Sequence, residues 1–205
     1  MDGTLIDGEA LDIIAENAEV EEQVKKITEK AMRGKLNFRE AVGKRLELLK
    51  GIKKREIERI AEDLKIMEGA EKTIKRLKER GFKIGMITGG FNIIADKIGK
   101  KLNLDFIIAN ELGFKDNKVD GTFHLNVDDN KDKLLNKVKN LTDADIAIGI
   151  GDGTNDIPML KAADIGIAFN AKPEVKKSIK LKIKEKNLLK ILDMIDDRKM
   201  NIIVD

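Results

Sequence analysis

The chain of 205 residues has no cysteine, no tryptophan and no tyrosine, one histidine (His124) and two prolines. Without cysteine there is neither a disulfide nor a thiol nucleophile, and one histidine speaks against zinc sites and serine–histidine triads. Aromatic residues make up 3% of the chain, too few for the stacking platforms that hold single-stranded nucleic acid. Forty basic and 37 acidic residues leave a net charge of +3. The two signs alternate along most helical stretches instead of forming one basic face, so nucleic acid is not an expected partner. No apolar run approaches the roughly 20 residues of a membrane span, and no secretion-signal pattern opens the chain. These absences point to a cytoplasmic protein with one core domain and room for a modest insertion.

What is present divides into two patterns. From Gly8 to about Lys65 apolar residues recur at helical spacing: Leu11, Ile14 and Ala15; Val20, Val24 and Ile27; Val42, Leu46 and Leu49; Ile57, Ile60 and Leu64. Gly34 and Gly51 punctuate these runs. Beyond Met67, strands and helices alternate. A helix ending at Gly81 precedes a strand over Phe82–Ile87 and a turn at Thr88-Gly89-Gly90, then a helix near Phe91–Leu102. An apolar run follows over Phe106–Ala109, then a hairpin within Glu111–Val127 turning at Asp116-Asn117. A helix near Lys131–Lys139, strands over Ile146–Ile150 and Ile165–Phe169, and a last strand–helix pair to about Ile195 complete the series. This alternation predicts an α/β fold with a doubly wound, mostly parallel sheet and its ligand site at the carboxyl ends of the strands. Asp196–Lys199 then reads as a short polar connection, and Ile202-Ile203-Val204 as one more buried parallel strand.

Three segments carry chemistry. Gly149-Ile150-Gly151-Asp152-Gly153-Thr154-Asn155-Asp156 follows an apolar strand. Its glycines let backbone approach a phosphate, and its carboxylates suit Mg²⁺, a hard cation that prefers oxygen. Thr88-Gly89-Gly90 offers a hydroxyl and backbone N–H groups to phosphate oxygens, although a threonine before a helix also serves as an ordinary N-cap. Lys131 could offset phosphate charge, yet by position alone it is one solvated lysine among many.

Together with Asp2-Gly3-Thr4, these segments match in order and spacing the four motifs of the haloacid dehalogenase-like superfamily. Within it the chain resembles the phosphoserine phosphatases along essentially its whole length, including a helical insertion similar to their cap domain. The resemblance implies a Rossmannoid core over residues 1–8 and 67–205 with a cap over 9–66. It implies that Glu9 meets the ammonium of a small phosphate ester and Arg45 its carboxylate, with Met32 and Phe38 lining the cap side. Opposite charges at Glu9 and Arg45 suit an amino-acid head group, and arginine can bind a carboxylate through two hydrogen bonds. Thr88, Gly89, Lys131 and Asn155 would hold the phosphate.

The implied reaction is a two-step phosphoryl transfer with Mg²⁺. Asp2 matches the general acid/base and would lend its backbone carbonyl to the metal. Asp152 would ligate the metal and Asp156 orient its shell from behind. The nucleophile belongs two residues before Asp2. Read cyclically, Asn201-Ile202-Ile203-Val204-Asp205 followed by Met1-Asp2-Gly3-Thr4 restores the strand and the Asp-x-Asp-Gly-Thr signature. The expectation is therefore a circular permutation, with Asp205 as nucleophile and metal ligand, and a phosphoserine phosphatase activity. Two alternatives stay open: a phosphatase or phosphotransferase for another small ester, and a non-catalytic phosphate- and Mg²⁺-binding relative should Asp205 lie away from the site.

Overall fold

The computed structural model describes residues 1–33 and 35–195, without the side chain of Met32. The helical spacing of the first third forms α1 (Ala10–Asn17), α2 (Glu21–Met32), α3 (Phe38–Leu48) and α4 (Lys54–Asp63). Asn37 starts α3 through a reciprocal capping box: its side-chain oxygen accepts from Glu40 N–H and Glu40 accepts from Asn37 N–H, both at 2.9 Å. On α4 the apolar positions Ile57, Ile60 and Ala61 are buried on one face.

The remainder alternates as its pattern predicts. In order it forms α5 (Ala70–Glu79), β1 (Gly85–Phe91), α6 (Asn92–Lys101), β2 (Phe106–Lys115), β3 (Lys118–His124), α7 (Lys131–Leu141), β4 (Ile148–Gly151), α8 (Ile157–Ala162), β5 (Ile165–Phe169), α9 (Pro173–Ser178) and β6 (Leu181–Ile183). A short 3₁₀ turn, Thr154–Asp156, leads into α8, and a helical segment occupies 190–195. Both hairpin turn residues, Asp116 and Asn117, take positive φ (51° and 58°), as the tight turns that join twisted antiparallel strands require. α4 packs on α6, and α3 lies against β3, so the helical group leans on the sheet part. One apolar cluster runs through both, from Ile14, Leu46 and Ile57 to Ile98, Ile167 and Phe169.

One expectation is corrected. β1 starts at Gly85 rather than Phe82, and Thr88-Gly89-Gly90 lies within it, before Phe91, instead of forming a turn after it. The ladder with β2 shifts register between Ile87 and Phe91, so these three residues sit at an irregularity of the strand. Among the described residues the strands form two three-stranded groups, β1-β2-β3 and β4-β5-β6. β1–β2 and the β4–β5–β6 ladder are parallel, and β2–β3 is antiparallel. Within these residues β1 and β4 each pair on one side only. The strand expected at 202–204 lies outside the described residues, as does Asp205. The α/β class itself stands.

Candidate active site

Two segments connect the helical group to the rest and run side by side. Ile6 bridges Ile66 in antiparallel sense, Met67 N–H donates to Leu5 O and Asp7 N–H to Lys65 O, both at 2.9 Å. Hydrogen bonds from Lys65 (2.8 Å) and Lys186 (2.9 Å) hold the Asp7 carboxyl at about 2, well below the usual carboxylate range. So anchored, the first residues lie over the carboxyl ends of the strands. Thr4 Oγ1 donates to Asp152 Oδ1 (3.0 Å), 148 positions away in sequence. Gly3 has φ +64° and sits so close that a Cβ there would overlap the Asp152 carboxylate.

Here the ends of β1 and β4, the start of α7 and one face of α3 enclose a cavity of about 200 Å³. Asp2, Asp152 and Asp156 line it from one side, with Asn155 and Gly153 of the glycine-rich loop. Thr88, Gly89 and Lys131 line it from another. Glu9, Phe38 and Arg45 of the helical group complete it. Every predicted site residue whose side chain is described thus meets in one cavity; Met32 and Asp205 are the two that lie outside the description. A larger cavity of about 390 Å³ lies beside Asp7, Arg59 and Asp63, but none of the phosphate motifs reaches it.

Electrostatics is organised around Asp156 and Lys131. Lys131 is 5% exposed and Asp156 8%, and Lys131 Nζ stands 2.6 Å from Asp156 Oδ1. The other oxygen of Asp156 accepts from the N–H groups of Asp152 (3.2 Å) and Gly153 (3.1 Å). Burial opposes ionisation of Asp156, but the Lys131 charge and hydrogen bond, aided by the Met1 amine and Gly153 N–H, outweigh it and lower its pKa. Asp152 goes the other way: burial raises its pKa and the Thr4 hydroxyl offsets only part of that. Asp2 is oriented by Ala10 N–H, which donates to its Oδ1 at 2.9 Å.

On the helical side, burial and then the nearby Asp2 carboxylate push Glu9 up to about 7, while Lys172 acts in the opposite sense. Arg45 donates through Nε to Ala41 O (3.2 Å) within α3, and burial lowers its pKa. The Phe38 ring lies against Gly89, where an added Cβ would stand 3.4 Å from it. Thr88 is not an N-cap: Phe91 holds that position on α6, and Thr88 Oγ1 instead accepts from Gly90 N–H at 3.0 Å. That bond fixes the threonine hydroxyl beside the Gly90 N–H.

Lys172 lines the same cavity, and its N–H donates to Asp152 O at 3.0 Å. The sequence reading missed it. Its position was available from topology, because Ala171-Lys172-Pro173 follows β5 and a proline at the first helical position marks the start of α9. Loops after parallel strands are where such folds place ligands.

Against this geometry, residues 1–164 match the family described as haloacid dehalogenase-like hydrolase. The phosphoserine phosphatase of Methanocaldococcus jannaschii is 41% identical over 198 residues, 95% of this chain and 94% of that protein. The phosphoserine phosphatase of Lactococcus lactis is 36% identical over 201 residues, covering 96% and 93%. A solved substrate-bound phosphoserine phosphatase complex superposes with a TM-score of 0.87 at 41% identity, covering 95% of this chain and 94% of that one. A phospho-aspartyl intermediate analogue of phosphoserine phosphatase gives the same TM-score and identity, covering 95% of each chain. The chain belongs to the haloacid dehalogenase-like hydrolases.

The Lys131–Asp156 pair makes a stability prediction. Lys131→Met leaves a buried carboxylate without its counter-charge and should lower the unfolding free energy at pH 7 by about 3 kcal/mol in urea. Asp156→Asn added to Lys131→Met should recover part of that loss. Because the pairing lowers the Asp156 pKa, it stabilises the fold above pH 3.8 and is lost as pH falls through the folded value. A Lys131→Met protein as stable as the wild type would contradict the pairing.

Proposed function

We propose that this haloacid dehalogenase-like hydrolase is a cytoplasmic phosphoserine phosphatase, hydrolysing O-phosphoserine to serine and phosphate with Mg²⁺ as a step of serine biosynthesis. One observation carries the reading. A negative and a positive side chain, Glu9 and Arg45, face into the same small cavity as Thr88, Gly89 and Lys131. A ligand with an ammonium and a carboxylate at one end and a phosphate at the other satisfies all of them at once. The names of the similar enzymes support the same assignment. In this reading residues 9–66 act as a cap over a core of 1–8 and 67–205, and Phe38 and Met32 supply the apolar wall on the cap side.

Asp152 and Asp2 present hard oxygens within one cavity, which suits Mg²⁺, an ion that takes one or two carboxylates and keeps waters. Among the described residues no group of three or more His, Cys, Asp or Glu side chains is placed to hold a metal ion. Asp152, Asp205 and the Asp2 carbonyl would hold the ion, and Asp156, occupied by Lys131 and two N–H groups, orients Asp152 from behind. When bound, Mg²⁺ offsets the repulsion between phosphate and carboxylates.

Asp205 is the nucleophile in this account, and the first motif is circularly permuted. Three features of the described residues support it. Among the described residues β1 and β4 each pair on one side only, so each offers an edge to which a strand at 201–204 would pair. Met1 lines the same cavity as Asp152 and Asp156, so residue 1 stands beside the reacting groups. The helical segment at 190–195 follows β6, and a helix after a parallel strand returns the chain to where the next parallel strand starts.

The reaction then runs in two steps. A carboxylate oxygen of Asp205 bonds to phosphorus as the bond from phosphorus to the serine oxygen breaks, and the Asp2 carboxyl gives that oxygen its proton. Water next attacks the phosphorus of the aspartyl phosphate and passes a proton to Asp2, as the bond from phosphorus to the Asp205 oxygen breaks and frees phosphate and the Asp205 carboxylate. Thr88, the Gly89 and Asn155 groups and Lys131 hold the phosphoryl oxygens and stabilise their developing charge.

Two measurements test the proposal. Phosphate release from phosphoserine should fall by about 10³-fold or more in Asp205→Asn. It should persist in Asp193→Asn, whose exposed carboxylate pairs only locally with Lys190. Retained turnover in Asp205→Asn removes the nucleophile assignment, and a wild type inert towards phosphoserine removes the activity. Glu9 predicts a pH effect. It attracts the substrate ammonium only when ionised, and with a pKa near 7 it loses that charge as pH falls. The kcat/KM ratio of phosphoserine to an ester lacking the amine should therefore drop about tenfold between pH 8 and pH 6, since the shared phosphate titration cancels. In Glu9→Gln the ratio should be flat with pH; a flat ratio in the wild type would remove Glu9 from ammonium recognition.

A further inference from the structure

Asn110 is fully buried in β2, at the end of the apolar run Phe106-Ile107-Ile108-Ala109. Its backbone stands opposite Phe91 of β1, while Ile108 stands opposite Ile87. Three residues of β1, Thr88-Gly89-Gly90, therefore span a single residue of β2, Ala109, and the ladder is interrupted where the phosphate-facing groups lie. The Asn110 side chain bridges the interruption. Its Nδ2 donates to Gly89 O (3.0 Å) and to Val127 O (3.0 Å), and its Oδ1 accepts from the N–H groups of Asn126 (2.9 Å) and Val127 (2.8 Å). That is the full donor and acceptor capacity of one amide, and two carbonyls with two N–H partners permit only one orientation of it.

The partners lead to both phosphate-facing elements. Gly89 lies within the Thr88–Gly90 loop. Asn126 and Val127 open the loop that delivers Lys131, and that loop is tied further by Asn126 Nδ2 to Ala109 O (3.0 Å) and by Asn130 Nδ2 to Asn126 O (3.2 Å). Asn130 is the residue that precedes α7 and Lys131.

We propose that Asn110 is a positioning residue that sets the separation between the Thr88–Gly90 loop and Lys131, and so shapes the phosphoryl-binding half of the site without touching substrate. This rests on the reading of that half as a phosphate site. No other side chain of similar size does the same work. Aspartate keeps the acceptor but turns a charged oxygen towards two carbonyls; leucine leaves two N–H and two C=O groups without partners; glutamine keeps the chemistry but displaces it by one methylene.

The test compares Asn110→Asp and Asn110→Gln with Leu77→Ala, a buried change on α5 outside the cavity. Inorganic phosphate affinity in the presence of Mg²⁺, kcat and KM for phosphoserine, and the urea midpoint are measured for each. Positioning predicts phosphate affinity and kcat lower by about tenfold to a hundredfold in both Asn110 variants. KM should change less than threefold, because Glu9 and Arg45 still hold the head group. Leu77→Ala should lose stability and keep kcat and phosphate affinity. Should Asn110→Asp fail to fold, Asn110→Gln carries the comparison. Folded Asn110 variants with wild-type phosphate affinity and kcat overturn the proposal, as does an equal kcat loss in Leu77→Ala. A wild type that binds phosphate but does not hydrolyse phosphoserine would end the substrate assignment alone, with the role of Asn110 still read from the phosphate affinities.

Discussion

The site depends on one buried ion pair. Lys131 and Asp156 meet at 2.6 Å, almost free of solvent, and neither charge would be tolerated there alone. The pair ties the start of α7 to the glycine-rich loop after β4. Asp156 also gathers the N–H groups of Asp152 and Gly153 and so pins that loop, with the Asp152 side chain turned to Thr4. The separation of roles among three carboxylates follows from this. Asp156 is saturated with donors, Asp152 is buried with one hydroxyl partner, and Asp2 is aimed by a backbone N–H. Three acids of identical chemistry are made different by their neighbours.

A second constraint is the division of the cavity between two structural units. The α/β part supplies the groups suited to phosphate, and the helical group supplies Glu9, Arg45 and Phe38. The paired segments near residues 5–7 and 65–67 set the two units against each other, and Asp7, held by Lys65 and Lys186, fixes the crossing. In the proposed reading, recognition of the head group and of the phosphate can then vary separately, which is why changes at Asn110 and at Glu9 are expected to act on different kinetic quantities.

Much of this was legible in the sequence. The helical period of residues 10–63, the turn at Asp116-Asn117 and the strand Ile165–Phe169 follow from spacing and local chemistry. Asp2, Thr88, Lys131 and Asp152 were marked by the resemblance to the superfamily's four motifs, and the fold brings them together. What was not legible depended on pairing between distant segments. Thr88-Gly89-Gly90 has turn composition, yet it lies within β1 at a register shift against β2, where Thr88 Oγ1 accepts from Gly90 N–H. The role proposed for Asn110 was hidden for the same reason: a lone polar residue ending an apolar run gives no sign of four hydrogen bonds to three residues of two other segments. Burial of Lys131, a lysine indistinguishable in sequence from its neighbours, is likewise a property of the tertiary structure.

The claim on which the rest turns is that the residue attacking phosphorus is Asp205. It can be read directly by quenching the enzyme during turnover of phosphoserine, reducing any acyl phosphate with borohydride and locating the resulting homoserine by peptide mass spectrometry. The account predicts homoserine at residue 205 and none at Asp2, Asp152 or Asp156. Homoserine at one of those three, with residue 205 unmodified, would contradict it.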